Sequence, residues 1–280
     1  MKIPPLIYFL LTAPLVSIQA QNGFTAQGNV LTAASEQVNW NQASIGIGFN
    51  FAKNKAVAFE NSLSYTHANA TYDNRYTNWQ NNQNGFNEIK NTIEATLKFS
   101  AKTAVKANIL PSLSFQEKIG IDNVSILGGL ELHQIIGSNL VLMAGVSRSS
   151  FLGSPKMVPI GAVAYQVNEQ INVKVGYPNS VISYSNNERN QFRLWNSFTG
   201  NFYNVDSEKY AEENTQRLSI SQISTALEYE RNIDNNWIIN LRGGYDSNRK
   251  YQLIQNNGTV VSDLNVGNGP CFSFGIKYKH

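Results

Sequence analysis

The chain has 280 residues, with charged residues at only 15%, aromatics at 11% and a formal net charge of +3. So small a charge, with no basic stripe, excludes a nucleic-acid partner, and the single cysteine, Cys271, excludes an intrachain disulfide and a cysteine-rich metal site. Mean hydropathy is −0.29, and no segment beyond the N-terminal leader holds the roughly 18 consecutive apolar residues of a membrane-spanning helix.

The N-terminus reads as a signal peptide over residues 1–20. Lys2 supplies the positive charge, Leu6 to Val16 form a short apolar core, and Ile18-Gln19-Ala20 ends in a small residue suited to cleavage before Gln21. No cysteine follows that site, so a lipid anchor is not expected. Residues 21–280 contain no Pro- or Ser-rich linker and are expected to form one domain.

Through that domain helical periodicity is absent and two-residue alternation recurs, the mark of strands with one apolar and one polar face. The weakly alternating stretch Phe24 to Gln37 comes first. In 43–51, Ile45, Ile47, Phe49 and Phe51 oppose Ser44, Gly46, Gly48 and Asn50; in 56–67, Val57, Phe59, Leu63 and Tyr65 oppose Glu60, Ser62 and Ser64. In 87–99, Ile93, Ala95, Leu97 and Phe99 oppose Glu94, Thr96 and Lys98; in 103–115, Val105, Ala107, Ile109, Leu113 and Phe115 oppose Lys106 and Asn108. Strands 123–132 and 139–149 carry Val124, Ile126 and Leu130, then Leu140, Leu142 and Val146. Strands 157–166 and 170–177 carry Ile160, Ala162 and Ala164, then Ile171, Val173, Val175 and Tyr177 on their apolar faces. Strands 180–186, 190–199 and 217–231 follow, then 235–246, where Trp237, Ile239, Leu241 and Tyr245 oppose Asn240, Arg242 and Gly244. The last, 270–279, alternates Phe272, Phe274, Ile276 and Tyr278 with small or charged residues and has no covering helix after it.

The gaps between these strands are unequal. The three longest, 68–86, 200–216 and 247–269, fall on one side, and the short links 52–55, 100–102, 167–169 and 232–234 fall on the other. Alternating short and long links, apolar-out and polar-in strands and aromatics near strand ends (among them Phe51, Tyr65, Phe99, Phe115, Tyr165, Tyr177, Tyr229, Trp237, Tyr245 and Tyr278) predict an all-β antiparallel transmembrane barrel of the outer membrane. Fourteen strands are predicted, or twelve if 180–186 merges with a neighbour, since such barrels are even-numbered. A soluble β-sandwich would need far more charge on its outer faces.

Inside such a barrel the polar face would collect Glu60, Glu94, Lys98, Lys106, Lys174, Arg193, Glu228, Glu230 and Arg242. Either these charges set up a transverse field that selects small polar solutes, or they pair with one another and rigidify the lumen, because crowded charges are costly unless paired. Two functions follow: passage or binding of a small polar solute, or a non-conducting structural or surface-recognition barrel. The loop expected over 68–86 gathers Asn69, Asn74, Asn78, Asn81, Asn82 and Asn84 around Tyr72, Tyr76 and Trp79, a composition suited to stacking on and hydrogen-bonding sugars as well as to a plain solvated loop. No catalytic group is expected. Neither His67 nor His133 has a serine two residues on, and the Asp-x-Asp and Asp-x-His pairs of barrel proteases are absent; His67 and Asp73 are the one near pair. The three histidines lack metal-ligand spacing, and Asp263-Leu264-Asn265 reads as a turn rather than a calcium loop. No cofactor is expected.

The stretch Gly176-Tyr177-Pro178-Asn179-Ser180-Val181-Ile182-Ser183-Tyr184 resembles a recurrent segment of the DUF6268 family, whose glycine, proline and tyrosine correspond here to Gly176, Pro178 and Tyr184. Gly200-Asn201-Phe202-Tyr203-Asn204-Val205 and Gly243-Gly244-Tyr245 are similar to it too. The resemblance covers most of the chain and implies an uncharacterised outer-membrane barrel of Bacteroidetes-type bacteria, without an activity. Outer-membrane lipid and, through the C-terminal strand, the barrel assembly machinery are then the expected partners. The chain end departs from the usual barrel signature of a final aromatic, because Lys279 and His280 follow Tyr278.

Overall fold

The computed structural model describes residues 23–54, 56–73, 85–205, 217–255, 258–264 and 266–280. It is a closed antiparallel barrel of 14 strands. In chain order they are β1 (Gly23–Ala34), β2 (Val38–Asn54), β3 (Val57–Tyr72), β4 (Phe86–Lys98), β5 (Thr103–Phe115), β6 (Val124–Ile136), β7 (Leu140–Ser149), β8 (Lys156–Gln166), β9 (Ile171–Tyr177), β10 (Asn179–Asn187), β11 (Asn190–Asn204), β12 (Arg217–Asn232) and β13 (Trp237–Ile254). A short β14 (Val260–Leu264) lies only along the far end of β13, and β15 (Gly269–Lys279) completes the wall. A 3-10 turn, Ile121–Asn123, precedes β6. The sequence-predicted segment 180–186 is a separate strand, β10, and 24–37 supplies β1.

Each strand of the wall pairs with the next in the chain, β13 passing over β14 to pair with β15, and β15 pairs with β1 from Thr25↔Lys279 to Ala33↔Cys271. Phe24 and His280 exchange backbone hydrogen bonds at the seam, 3.0 and 2.9 Å. Closure leaves no unpaired edge in the wall, the condition for a sheet in hydrocarbon, where no water satisfies free N–H and C=O groups. Both described ends lie at one rim, the terminal end. The other, the loop end, receives the three long links. There β13 runs to Ile254 and β14 adds a strand inside the stretch 247–269, which alternation alone leaves as a loop.

The outer face exposes Ile45, Ile109, Leu130, Val146, Val175, Leu227 and Phe274, each between 44% and 66% accessible, a surface that would be untenable in water as a continuous band. At the terminal end the band is edged by Phe24, Phe49 and Tyr278, with Trp237 edge-on to Tyr278 at 5.1 Å and Phe192 against Tyr229 at 5.1 Å. Between Trp237 and Tyr245 on β13 the chain climbs eight residues, about 20 Å along the axis at ordinary strand rise and tilt.

One face is reversed from expectation. On β8 the outward residues are Met157, Val163 and Tyr165, and Ile160, Ala162 and Ala164 line the interior. Both faces of this strand are apolar, so alternation does not choose between them. The choice is made by volume: Gly176 of β9 lies so close that a Cβ there would sit 2.3 Å from the Gly161 carbonyl and 2.4 Å from the Ala162 Cβ. The hairpin is locked by Ser180, whose Oγ accepts from Gly176 N–H at 3.0 Å and donates to its carbonyl at 3.1 Å. Gly176→Val is therefore expected to destabilise the barrel by about 1–3 kcal/mol through overpacking, seen as a lower urea midpoint of the heat-modifiable gel band; an unchanged midpoint would show that the hairpin can yield.

Candidate functional site

Because side chains alternate, the inner face is even-numbered on β2, β3, β4, β5, β8, β9 and β12 and odd-numbered on β1, β6, β7, β10, β11 and β15. At the terminal end this face is charged. Arg193, Glu228 and Arg242 stand directly opposite one another on β11, β12 and β13, so the register creates an Arg–Glu–Arg row. Arg193 Nη1 donates to Glu228 at 2.7 Å and to Glu230 at 3.0 Å, and Arg242 Nε donates to the other Glu228 oxygen at 2.9 Å. The Glu228 side chain is 4% accessible. Arg242 also lies over the Trp195 ring at 5.5 Å, a cation–π contact. Across the lumen, Lys106 reaches diagonally to Glu94 at 2.7 Å. Glu60 faces Glu94 across the β3–β4 ladder. Glu60, Lys98 and Lys174 have no ion-pair partner among the described residues. His133 meets Glu131 at 3.1 Å. The nine expected charges are thus not one cluster: four form the row of β11–β13, two pair on β4 and β5, and three stand apart.

The polar lumen does not continue to the loop end. There the inner face is mainly apolar and buried, with Arg249 beside Tyr251: Val38, Trp40, Ala68, Ala70, Tyr72, Phe86, Tyr203, Leu218, Ile220, Tyr251 and Leu253 form one cluster with Val205, Leu264 and Val266. It joins opposite walls. Trp40 of β2 stacks on Phe86 at 5.8 Å, meets Tyr251 of β13 edge-on at 6.0 Å, and lies 6.2 Å from Tyr203 of β11. Asn204, at the tip of β11, donates to the Asp122 carbonyl in the β5–β6 link at 2.9 Å. The ends of β11 and β12 therefore lean over the mouth and cap it. They can do so because β9 and β10, joined through Pro178 alone, leave the wall low beside them. The β7–β8 link fills that dip: Ser150 Oγ donates to the Gly200 carbonyl at 3.0 Å, and a side chain at Gly200 would strike the Ser150 carbonyl at 2.2 Å.

Beneath the cap lies a cavity of about 340 Å³. Its roof is Trp40, Ile220 and Tyr251, its lower edge is Arg242, and Phe151 closes one side; Gln42, Ser197, Thr199, Asn201, Gln222 and Ser224 supply neutral polar groups. A second space of about 160 Å³ lies between Glu131, Lys174 and Phe151. A depression of about 810 Å³ is bounded by the outward Val30, Leu241, Phe272 and Phe274.

Other sequence candidates have structural roles or fall elsewhere. His67 lies on the outer face, tied to Asn87 at 2.9 Å and Asn69 at 3.2 Å. Residues 68–72, expected in a loop, belong to β3, and Tyr72 is buried in the cap; Asn74, Tyr76, Asn78, Trp79, Asn81, Asn82 and Asn84 lie outside the described residues. Asp263 is on β14, where Gln252 donates to it at 2.7 Å. Tyr184 stacks on Phe192 on the outer wall at 6.4 Å.

The capping residues were missed, yet the sequence carries a signal for them. On β2 the apolar residues occupy odd positions at Ile45, Ile47 and Phe49 but an even one at Trp40; on β3 they move from Leu63 and Tyr65 to Ala68, Ala70 and Tyr72. A switch of phase within one strand moves the apolar side from the outer face to the inner. On β13 the phase is constant, and a bulge does the work: Asn248, at φ 51°, inserts a residue opposite Ser221–Ile223 and turns Tyr251 and Leu253 inward.

No curated protein matches the chain in sequence. Among solved structures it is similar to the COG4313 outer membrane channel from Pseudomonas putida F1, with a TM-score of 0.53, 6% identity, and 93% of this chain and 95% of that one covered. It is also similar to the translocator domain of the autotransporter NalP from Neisseria meningitidis, with a TM-score of 0.45, 10% identity, and 98% and 95% covered. At 6% identity the likeness to the COG4313 channel shows the fold alone, that of an outer-membrane barrel. The model of a domain of unknown function, DUF6268, matches residues 52–279, twelve of the fourteen wall strands from β3 onward, and the chain belongs to that family.

Proposed function

We propose that this protein is an outer-membrane barrel that holds a small polar solute beneath an extracellular cap and passes it when the cap moves. The cavity of about 340 Å³, polar below and sealed above by the apolar cluster, carries this reading. The outer apolar band with aromatics at its edge supports the location, as do the signal peptide read over residues 1–20, the C-terminal strand offered to the assembly machinery and the likeness to an outer membrane channel. The loop end then faces outside and outer-membrane lipid covers the wall. No catalytic role is assigned.

The purified, folded protein in a planar bilayer is expected to show a closed baseline with brief, infrequent openings. A steadily open channel would mean that the cluster does not seal the mouth. The size of the cap favours a second reading, a permanently closed structural barrel, and complete silence even after the cap is removed would establish it over passage.

A further inference from the structure

We propose that the cavity beneath the cap is a binding site for an uncharged, polyhydroxylated solute of about monosaccharide size, an inference that rests on the solute-binding reading above. Charge balance comes first. Arg242, the one charged group among the described lining residues, is neutralised by Glu228. Among the described residues, Arg193 and Arg242 are paired with Glu228 and Glu230, Arg249 lies over the Tyr251 ring, and Asp246 sits behind Gln222, which donates to it at 3.0 Å. An ionic solute would find no unpaired charge among the described lining residues and would leave its own charge uncompensated in a partly dry space, which is costly.

Unused hydrogen-bonding capacity comes second. Thr199 Oγ1 is shielded from solvent and has no hydrogen-bond partner, and so is Trp195 Nε1, two residues before Ser197 on the same inner row. Ser197 Oγ has no hydrogen bond among the described residues either. Buried polar groups left this way cost free energy until something pairs with them. Third, Trp40 and Tyr251 in the roof offer ring faces and edges against these hydroxyls and amides. A ring on one side and hydrogen-bonding groups on the other suit a molecule with C–H patches and hydroxyls. The space of about 340 Å³ equals roughly 11 water volumes of about 30 Å³ each, close to the dozen heavy atoms of a hexose.

The test titrates the folded barrel in detergent with D-glucose, gluconate and glucosamine, reading tryptophan fluorescence. Glucose is expected to saturate the signal, both charged analogues to bind at least about tenfold more weakly, and the Ser197→Ala/Thr199→Val double variant to weaken glucose binding about tenfold with heat-modifiable mobility retained. Equal or tighter binding of either charged analogue, or no saturable response to glucose, overturns the inference. Liposome flux through a cap-opened variant separates the two readings. Flux of these solutes without saturable glucose binding defeats the neutral site and leaves passage standing. Flux of none of them, with no saturable glucose binding, defeats both.

Discussion

If the proposed passage is right, replacing Trp40 and Tyr251 together by alanine is expected to raise the open fraction from almost none to much of the time. The two rings meet from β2 and β13, and with Phe86 and Tyr203 they bridge walls that the sheet itself does not connect. Truncating a buried aromatic typically costs about 3–5 kcal/mol. That cost falls mainly on the capped state, since lifting the β11–β12 end exposes the rings to water. If half of it bears on the closed–open balance, the open fraction rises at least about 100-fold over the two sites. The barrel should survive, because its strands are held by backbone ladders around the whole wall and the cap lies above the apolar band. Single-channel recording gives the open probability, and heat-modifiable mobility reports folding. A Phe86→Ala/Tyr203→Ala pair should act alike, having removed the same bridge from the other side. A folded double variant as silent as the parent would favour the permanently closed barrel over passage.

The same cluster shows how far the sequence could be read. Strand number, pairing order and the side of the long links were legible, because each membrane strand carries a two-residue alternation and closure demands an even count. The Arg–Glu–Arg row could be expected to face inward, but not to meet in one row, because that depends on the register of three strands. β8 was illegible as to face: Met157, Val163 and Tyr165 against Ile160, Ala162 and Ala164 offer no polar side, and packing against Gly176 decides. The cap was hidden for a different reason. A polar lumen was inferred by extending one phase along whole strands, whereas Trp40, Ala70 and Tyr72 stand on the opposite phase to Ile45 and Tyr65. On β13 no phase change exists to be read, because the bulge at Asn248 performs it in the backbone.

The second large effect is expected at Glu228. Its carboxylate is shared by Arg193 and Arg242 and its side chain is 4% accessible, so removing the negative charge leaves two guanidinium groups facing each other across β12. Breaking a buried pair from one side ordinarily costs about 3–5 kcal/mol, because the partner remains buried without compensation. The lower end applies here: Arg193 keeps Glu230 at 3.0 Å, and the Arg242 side chain is 39% accessible. Glu228→Gln is therefore expected to destabilise the folded barrel by about 3 kcal/mol, and Glu228→Ala by at least as much, measured as the urea midpoint of the heat-modifiable transition. Glu94→Gln on the opposite wall is the control. Its partner Lys106 is also 39% accessible, and an exposed pair contributes about 1 kcal/mol or less. The difference between the two variants is the informative quantity, because both change one inward carboxylate to an amide of the same shape. Equal losses would mean that the lumen hydrates both sites alike. A loss confined to Glu228 would mean that the row on β11–β13 forms a dry, rigid wall against which the cavity under the cap is built.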